Sequence, residues 1–302
     1  MKNEVTTNKC NLAAIDIGSN AARILIKQVE KTPNGIHMKK LQFLRIPLRL
    51  GMDVFTDGRI GKEREKMLIR TMKIFRQLLI LYNVEDYLIY ATSAFRDAKN
   101  GESILRDIRK KTKLEICIIS GEEEAKIIHD NFHATGNLLY MDVGGGSTEL
   151  SLVCEGKLMD SCSINVGTIR LLKDTVTPNQ WEEMITKVKD ITQGIDNIHI
   201  VGSGGNINKL IRLTNKKEKK EIELSVASLK NLYKKMSTMS IEELMEAYDL
   251  RESRADVIVP AAQLFIMVSD IIAAHTITVP NVGLADGMIN IMTDKIFKKK
   301  TK

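Results

Sequence analysis

Leu138-Leu139-Tyr140-Met141-Asp142-Val143-Gly144-Gly145-Gly146-Ser147-Thr148-Glu149-Leu150-Ser151-Leu152 reads as two short strands joined by a loop. An apolar run precedes Asp142, and an alternating Leu-Ser-Leu-Val follows Glu149, the pattern expected on either side of a turn. Three glycines let backbone N–H groups approach an anion closely, and Ser147 and Thr148 add hydroxyl donors, so the turn suits a phosphate. Asp142 and Glu149 would repel a bare phosphate. A divalent cation between carboxylate and phosphate removes that conflict, and Mg²⁺ favours one or two carboxylates together with substrate oxygens and water. A glycine-rich hairpin without a ligand is the plainer alternative.

An earlier stretch repeats the pattern. Ala14-Ile15-Asp16-Ile17-Gly18-Ser19-Asn20-Ala21-Ala22-Arg23 aligns on Tyr140 to Glu149, with strand, Asp-x-Gly, polar loop and strand in each. The repetition favours the ligand reading and predicts a duplicated domain whose two loops face one another across a cleft. A third glycine loop, Gly202-Ser203-Gly204-Gly205-Asn206, follows a strand expected at 197–201 and precedes a helix expected at 207–213. Strand, glycine turn and helix N-terminus together form a phosphate or nucleotide cradle.

The 302 residues suffice for two domains, and the formal net charge of +7 favours an anionic partner. Few aromatics and a single tryptophan, Trp181, leave no aromatic-and-basic interleaving, so a small or linear polyanion is expected and nucleic acid is not. Cys10, Cys117, Cys154 and Cys162 form no Cys-x-x-Cys pair, and the N-terminus has no apolar signal core; both point to a cytoplasmic protein. The apolar run from Ala255 to Ala274 is interrupted by Asp256, Pro260, Gln263 and Asp270, and reads as a buried helix with no membrane association.

In chain order the pattern predicts strands at 12–17, 23–29 and 36–45, a helix at 62–82, a strand at 87–91, a helix at 102–111 and a strand at 114–119. Arg96 follows the fourth strand, at the strand end where α/β ligands bind, and its planar guanidinium matches phosphate oxygens. A surface pair with Asp97 is the alternative. Next come three glutamates, Glu122, Glu123 and Glu124. Ser120 as N-cap makes Glu123 the partner of a capping box, and the helix dipole accounts for Glu122. Glu124 is left as a candidate general base. His129 and His133 stand four apart, but residue 130 is Asp, so a zinc motif is incomplete and surface histidines are expected. The second half continues with a strand at 162–166, helices at 180–192, 225–239, 241–248 and 255–274, a strand at 276–279 and a helix from about Asp286.

Asp16-Ile-Gly-Ser-Asn20, Ile119-Ser-Gly-x-Glu-Glu-Ala125, Asp142-Val-Gly-Gly-Gly-Ser-Thr-Glu149 and Arg254-Ala-Asp-Val-Ile258 occur in this order along nearly the whole chain. The set resembles the exopolyphosphatase and guanosine pentaphosphate phosphohydrolase family, within the actin and sugar-kinase superfamily. The resemblance implies an α/β fold of two actin-like, ribonuclease H-like domains, mixed sheets plus helices facing across a cleft. They would span 1–123 and 124–302, the last helix, about 286–298, being a candidate to pack back on the first. It implies metal-dependent release of a terminal phosphate, from inorganic polyphosphate or from guanosine pentaphosphate, with the tetraphosphate as a related ligand and a homodimer compatible.

The family's catalytic glutamate falls on Glu124, in agreement with the capping argument. Its metal ligands, for Mg²⁺ or Mn²⁺, fall on Asp142, Glu149 and Asp16. Its phosphate grip falls on Gly18, Ser19, Asn20, Arg23, Arg96, Gly144, Gly145, Gly146, Ser147 and Thr148. Its nucleotide or distal phosphate loop falls on Gly202, Gly204, Gly205 and Asn206. Ala21 stands where the family carries a hydroxyl and Asn206 where threonine is usual, so the substrate grip is expected to be retuned. A chain of this length resembles the short two-domain members, for which distributive cutting of short or intermediate polyphosphates is expected. A kinase or ATPase is disfavoured by the Glu124 motif, whereas a non-catalytic polyanion binder is compatible with Ala21.

Overall fold

The computed structural model describes residues 9–129, 136–214, 223–280 and 283–297; the His129 side chain and His133 lie outside the described residues. The first sheet opens with β1 (Lys9–Ile17), β2 (Ala22–Thr32) and β3 (Gly35–Ile46) as an antiparallel meander. The chain then forms α1 (Gly51–Asp57) and α2 (Lys62–Leu81) and adds β4 (Asp86–Ala91) parallel to β1. After α3 (Ser93–Asp97) and α4 (Gly101–Thr112), β5 (Cys117–Ile118) joins parallel to β4, giving the order β3-β2-β1-β4-β5.

Beyond α5 (Gly121–His129) the scheme repeats. β6 (Asn137–Val143), β7 (Thr148–Cys154) and β8 (Lys157–Ile164) form a second antiparallel meander, followed by α6 (Thr168–Leu172) and α7 (Pro178–Thr192). β9 (His199–Ser203) runs parallel to β6 and leads into α8 (Gly205–Thr214). Then come β10 (Glu223–Ser225), α9 (Val226–Met236), α10 (Ile241–Tyr248), α11 (Glu252–Ile271), β11 (Thr276–Thr278) parallel to β9, and α12 (Leu284–Phe297). Read from β8, the order β8-β7-β6-β9-β11 is that of the first sheet, with β10 added at the edge. The registers agree as well: Asp16 faces Arg23 in the first meander, and Asp142 faces Glu149 in the second.

Side-chain alternation explains why β1 reads as a nearly unbroken apolar run. Ala13, Ile15 and Ile17 enter one core, while Leu12 and Ala14 point the other way into a second core with Met288, Ile289 and Met292 of α12. Both faces are therefore dry. Against the first face lies α2, whose Leu68, Met72, Phe75 and Leu79 recur at helical spacing and are buried. The second sheet packs on α7, α8, α9 and α11 through a core containing Met184, Leu210, Leu229 and Phe265. α11 is the buried helix expected at 255–274, and among the described residues no helix is long and apolar enough to cross a membrane.

Some elements differ from the sequence expectation. The strand expected at 114–119 spans only Cys117–Ile118, because α4 runs to Thr112 and Leu114 turns into the core. Ser225 ends β10 and caps α9 instead of lying inside a longer helix. α1 and α3 were not expected, being too short for a 3.6-residue period to show and lacking a side-chain cap. The boundary expected after residue 123 lies inside α5, which packs on β7, β8 and α12.

Candidate active site

The hairpin loops after β1 and β6 meet face to face. Gly145 lies so close to the first loop that a Cβ there would stand 2.8 Å from the Ser19 Cβ. Between and around them is a cleft lined by Gly18, Ser19 and Asn20, by Gly144, Gly145 and Ser147, and by Gly204, Gly205 and Asn206 of the third loop. Asp16, Glu124, Asp142 and Glu149 supply its acids, and Arg23, Arg45 and Arg254 its bases. Gly204 permits this closeness in two ways: it has φ +94°, and a Cβ would meet Asp142 Oδ1 at 2.5 Å.

Glu124 is brought to the cleft by the first turn of α5. The capping box read from sequence is present: the Glu123 N–H donates to Ser120 Oγ at 3.1 Å, and the Ser120 N–H donates to Glu123 Oε2 at 2.8 Å. Glu123 is thus turned to the helix end, and Glu124, next along, turns inward. The helix can approach because residue 121 is glycine, whose Cβ would overlap the Ser163 Cβ on β8 at 2.1 Å. Arg96 Nη1 donates to Glu124 Oε2 at 3.3 Å and to the Ile119 carbonyl at 2.9 Å, while Nη2 donates to Ser147 Oγ at 3.4 Å. Burial, then the Glu149 charge, lift the Glu124 carboxyl well above its ordinary value, with Asp16 and Asp142 adding to the rise and Arg96 opposing it.

The other three acids are held individually. Glu149 Oε1 accepts from Ser147 Oγ at 2.5 Å and Ser163 Oγ at 3.1 Å; burial, with Asp142 nearby, lifts its carboxyl from 4.5 to about 7. Asp142 Oδ2 accepts from Ser203 Oγ at 2.8 Å, and burial raises its carboxyl. Asp16 is also raised by burial, despite its 2.8 Å ion pair with Arg23. Among the described residues no three His, Cys, Asp or Glu side chains form a metal cage by themselves. Asp16 and Glu149 are buried and Glu124 and Asp142 half-buried, and the chemistry of this set of carboxylates fits Mg²⁺, which takes remaining ligands from substrate and water.

Opposite the acids stands an arginine cluster. Arg254 donates to Asn206 Oδ1 and packs over Gly205. Burial and the neighbouring Arg23 lower its guanidinium to about 10. Arg45 is lowered to about 9 by burial and by Arg254, Arg23 and Arg251. Neither Arg45 nor Arg254 was singled out as a ligand from sequence, although Arg254 opens one of the four motifs. Nothing in the local sequence marks Arg45; its meaning appears only once β3 pairs with β2.

Four of the expected site residues lie off the cleft wall. Thr148 is fully buried and donates to the Val166 carbonyl at 2.6 Å, so it ties β7 to the following turn. Gly202 is enclosed by Ile207, Ile277 and Phe265. Gly146 backs onto Phe55 and Ser93, and its carbonyl accepts from Arg170 Nε at 2.7 Å. Arg96 stands behind Glu124 and Ser147, and Asp97, its alternative partner, is taken by Arg170.

A sequence model of the Ppx/GppA phosphatase family matches residues 29–296. Exopolyphosphatase 1 of Mycobacterium tuberculosis is 29% identical over 168 residues, 54% of this chain and 48% of that protein. The bifunctional 3-dehydroquinate synthase/phosphatase of Fusobacterium nucleatum is 32% identical over 194 residues, 59% of this chain and 29% of that protein. The chain thus matches less than half the length of these curated relatives. Two solved structures share the fold. A Ppx/GppA family member from Aquifex aeolicus superposes with a TM-score of 0.76 at 23% identity, covering 97% of this chain and 100% of its own. An exopolyphosphatase from Cytophaga hutchinsonii superposes with a TM-score of 0.81 at 22% identity, covering 94% and 98%. With four motifs in order, a doubled sheet and a family match running from β2 into α12, this chain belongs to the Ppx/GppA phosphatase family.

Proposed function

We propose that this chain is a metal-dependent phosphoanhydride hydrolase that releases the terminal phosphate of inorganic polyphosphate, with Glu124 as the base that activates water. The observation that carries this reading is Glu124 itself: an inward-facing carboxylate with a raised pKa, at the mouth of two opposed glycine loops. A carboxylate whose pKa is raised holds a proton more tightly than an ordinary one, which suits it to take one from water. In the reaction, the water oxygen bonds to the terminal phosphorus while its proton passes to Glu124. The bridging oxygen leaves with the shortened chain. In this reading Ser19 and the loop N–H groups grip the phosphate oxygens, and Arg96 orients both Glu124 and Ser147.

Mg²⁺ held by Asp142 and Glu149, with Asp16 alongside, would neutralise phosphate charge. The decisive assay is phosphate release from polyphosphate, guanosine pentaphosphate and ATP in parallel, with Mg²⁺ and with excess chelator. Release from polyphosphate that vanishes on chelation is expected. Turnover persisting in metal-free protein would remove the metal from the reading. Faster release from guanosine pentaphosphate than from polyphosphate would reassign the substrate.

A further inference from the structure

Among the described side chains, two buried polar atoms have no hydrogen-bond partner: Arg45 Nε and Asp256 Oδ1. Asp256 is still held through its other oxygen by Arg49. Arg45 is the one that lines the cleft, and none of the described ion pairs uses it. Its place in the sheet adds to the cost. The β2–β3 register sets Arg45 directly opposite Arg23, and like charges so opposed destabilise a sheet. Arg254 and Arg251 add to the repulsion on Arg45, and Asp256 opposes it. A guanidinium whose buried Nε has no partner, held against other arginines, is a local expense that an anionic ligand would offset.

Position tells which part of the ligand this is. Glu124 opens the helix that follows β5 at one edge of the first sheet, and Arg45 stands on β3 at the other edge. Arg23, on β2 between them, is ion-paired with Asp16 at 2.8 Å and is the cross-strand neighbour of Arg45. The charges therefore run outward from the base, through Arg23, to Arg45 and Arg254. A phosphoanhydride chain whose end lies beside Glu124 lays its next phosphate along that line.

Resting on the hydrolase reading above, we propose that Arg45, flanked by Arg23 and Arg254, seats the phosphate next to the one removed. Arg45 thereby makes the cleft prefer a phosphoanhydride over a single phosphate. Ser19 and the loop N–H groups hold the terminal group, and Arg45 reads whether anything follows it.

The test is titration calorimetry with Mg²⁺ in a Glu124→Gln background, which prevents turnover, using tripolyphosphate and orthophosphate as probes. Arg45→Met is expected to weaken tripolyphosphate about 10- to 100-fold, the worth of one charge-assisted contact. Orthophosphate affinity should stay within about twofold, and Arg45→Lys should fall between parent and Met for tripolyphosphate. In the unliganded protein, Arg45→Met should raise the unfolding temperature, because it removes a cation held against Arg23 and Arg254 and its unpartnered Nε. A residue with a merely structural role would lower it. Equal weakening of both probes, no weakening, or no measurable tripolyphosphate binding by the parent would each overturn the proposal. Should Arg45→Met fail to fold, Arg45→Gln carries the same test. If the wild type releases no phosphate from polyphosphate, the hydrolase reading fails, and the calorimetry still decides Arg45.

Discussion

Glu123 and Glu124 differ by one position and face different ways, because successive residues of a helix point about 100° apart. Glu124→Gln is expected to cut phosphate release about 10²- to 10⁴-fold, the usual worth of a general base, with an unchanged circular dichroism spectrum. Glu123→Ala should stay active and lose about 0.5–2 kcal/mol in urea unfolding, as a cap loss. An inactive Glu123→Ala would reverse the assignment. Glu149 gives a pH signature of its own. Its carboxyl ionises near 4.5 when unfolded and near 7 when folded, so the folded state holds the proton more tightly. That contribution to stability is complete below about 4.5 and is lost as pH rises through about 7. The unfolding temperature of metal-free protein should therefore fall between pH 5 and 8, and Glu149→Gln should flatten the slope. Capping chemistry made Glu123 legible in the sequence, since a capping box is local. Arg45 was not legible, since its significance depends on a partner strand and on burial that no local pattern encodes.

Elements position the site through close approaches more than through strength. α5 reaches β8 only because Gly121 has no side chain to strike Ser163. Gly121→Ala should push the helix outward, cost about 1–3 kcal/mol as an overpacked contact, and reduce turnover by misplacing Glu124. Gly121→Ala combined with Ser163→Gly should recover stability beyond the sum of the single effects, measured as a double-mutant cycle. Additive losses would show that the contact is not the cause. The long elements were legible from periodicity: α2 has a stripe, and β1 and β6 have apolar runs ending in Asp-x-Gly. α3 was hidden by its length, five residues within what reads as a polar loop. Its contribution is nevertheless direct, because it carries Arg96 to Glu124.

At the scale of the molecule, the duplication read from two Asp-x-Gly hairpins is visible in the matching strand orders of the two sheets. α12 breaks the symmetry. It packs on β1, β2 and β4 of the first sheet, and Lys27 reaches Asp286 with a 2.7 Å ion pair. Met288, Ile289 and Met292 are buried there, each worth about 1.5–3 kcal/mol. Against a total stability on the order of 5–15 kcal/mol, their loss is large. A chain stopped after Gly283 should accordingly express as aggregate, or bind a hydrophobic dye and lack a cooperative thermal transition. A soluble, cooperatively folding truncation would show that the first sheet stands without the helix.

The same packing sets an order of events during synthesis. β1 and β2 are made before α12, and Leu12, Ala14, Leu25 and Val29 lack the largest part of their cover until residues 284–297 have been made. Domains that fold as units finish in the order of their synthesis. Here the first sheet is translated first and completed last. For the whole time that the second half is being built, one of its faces must be kept from other chains.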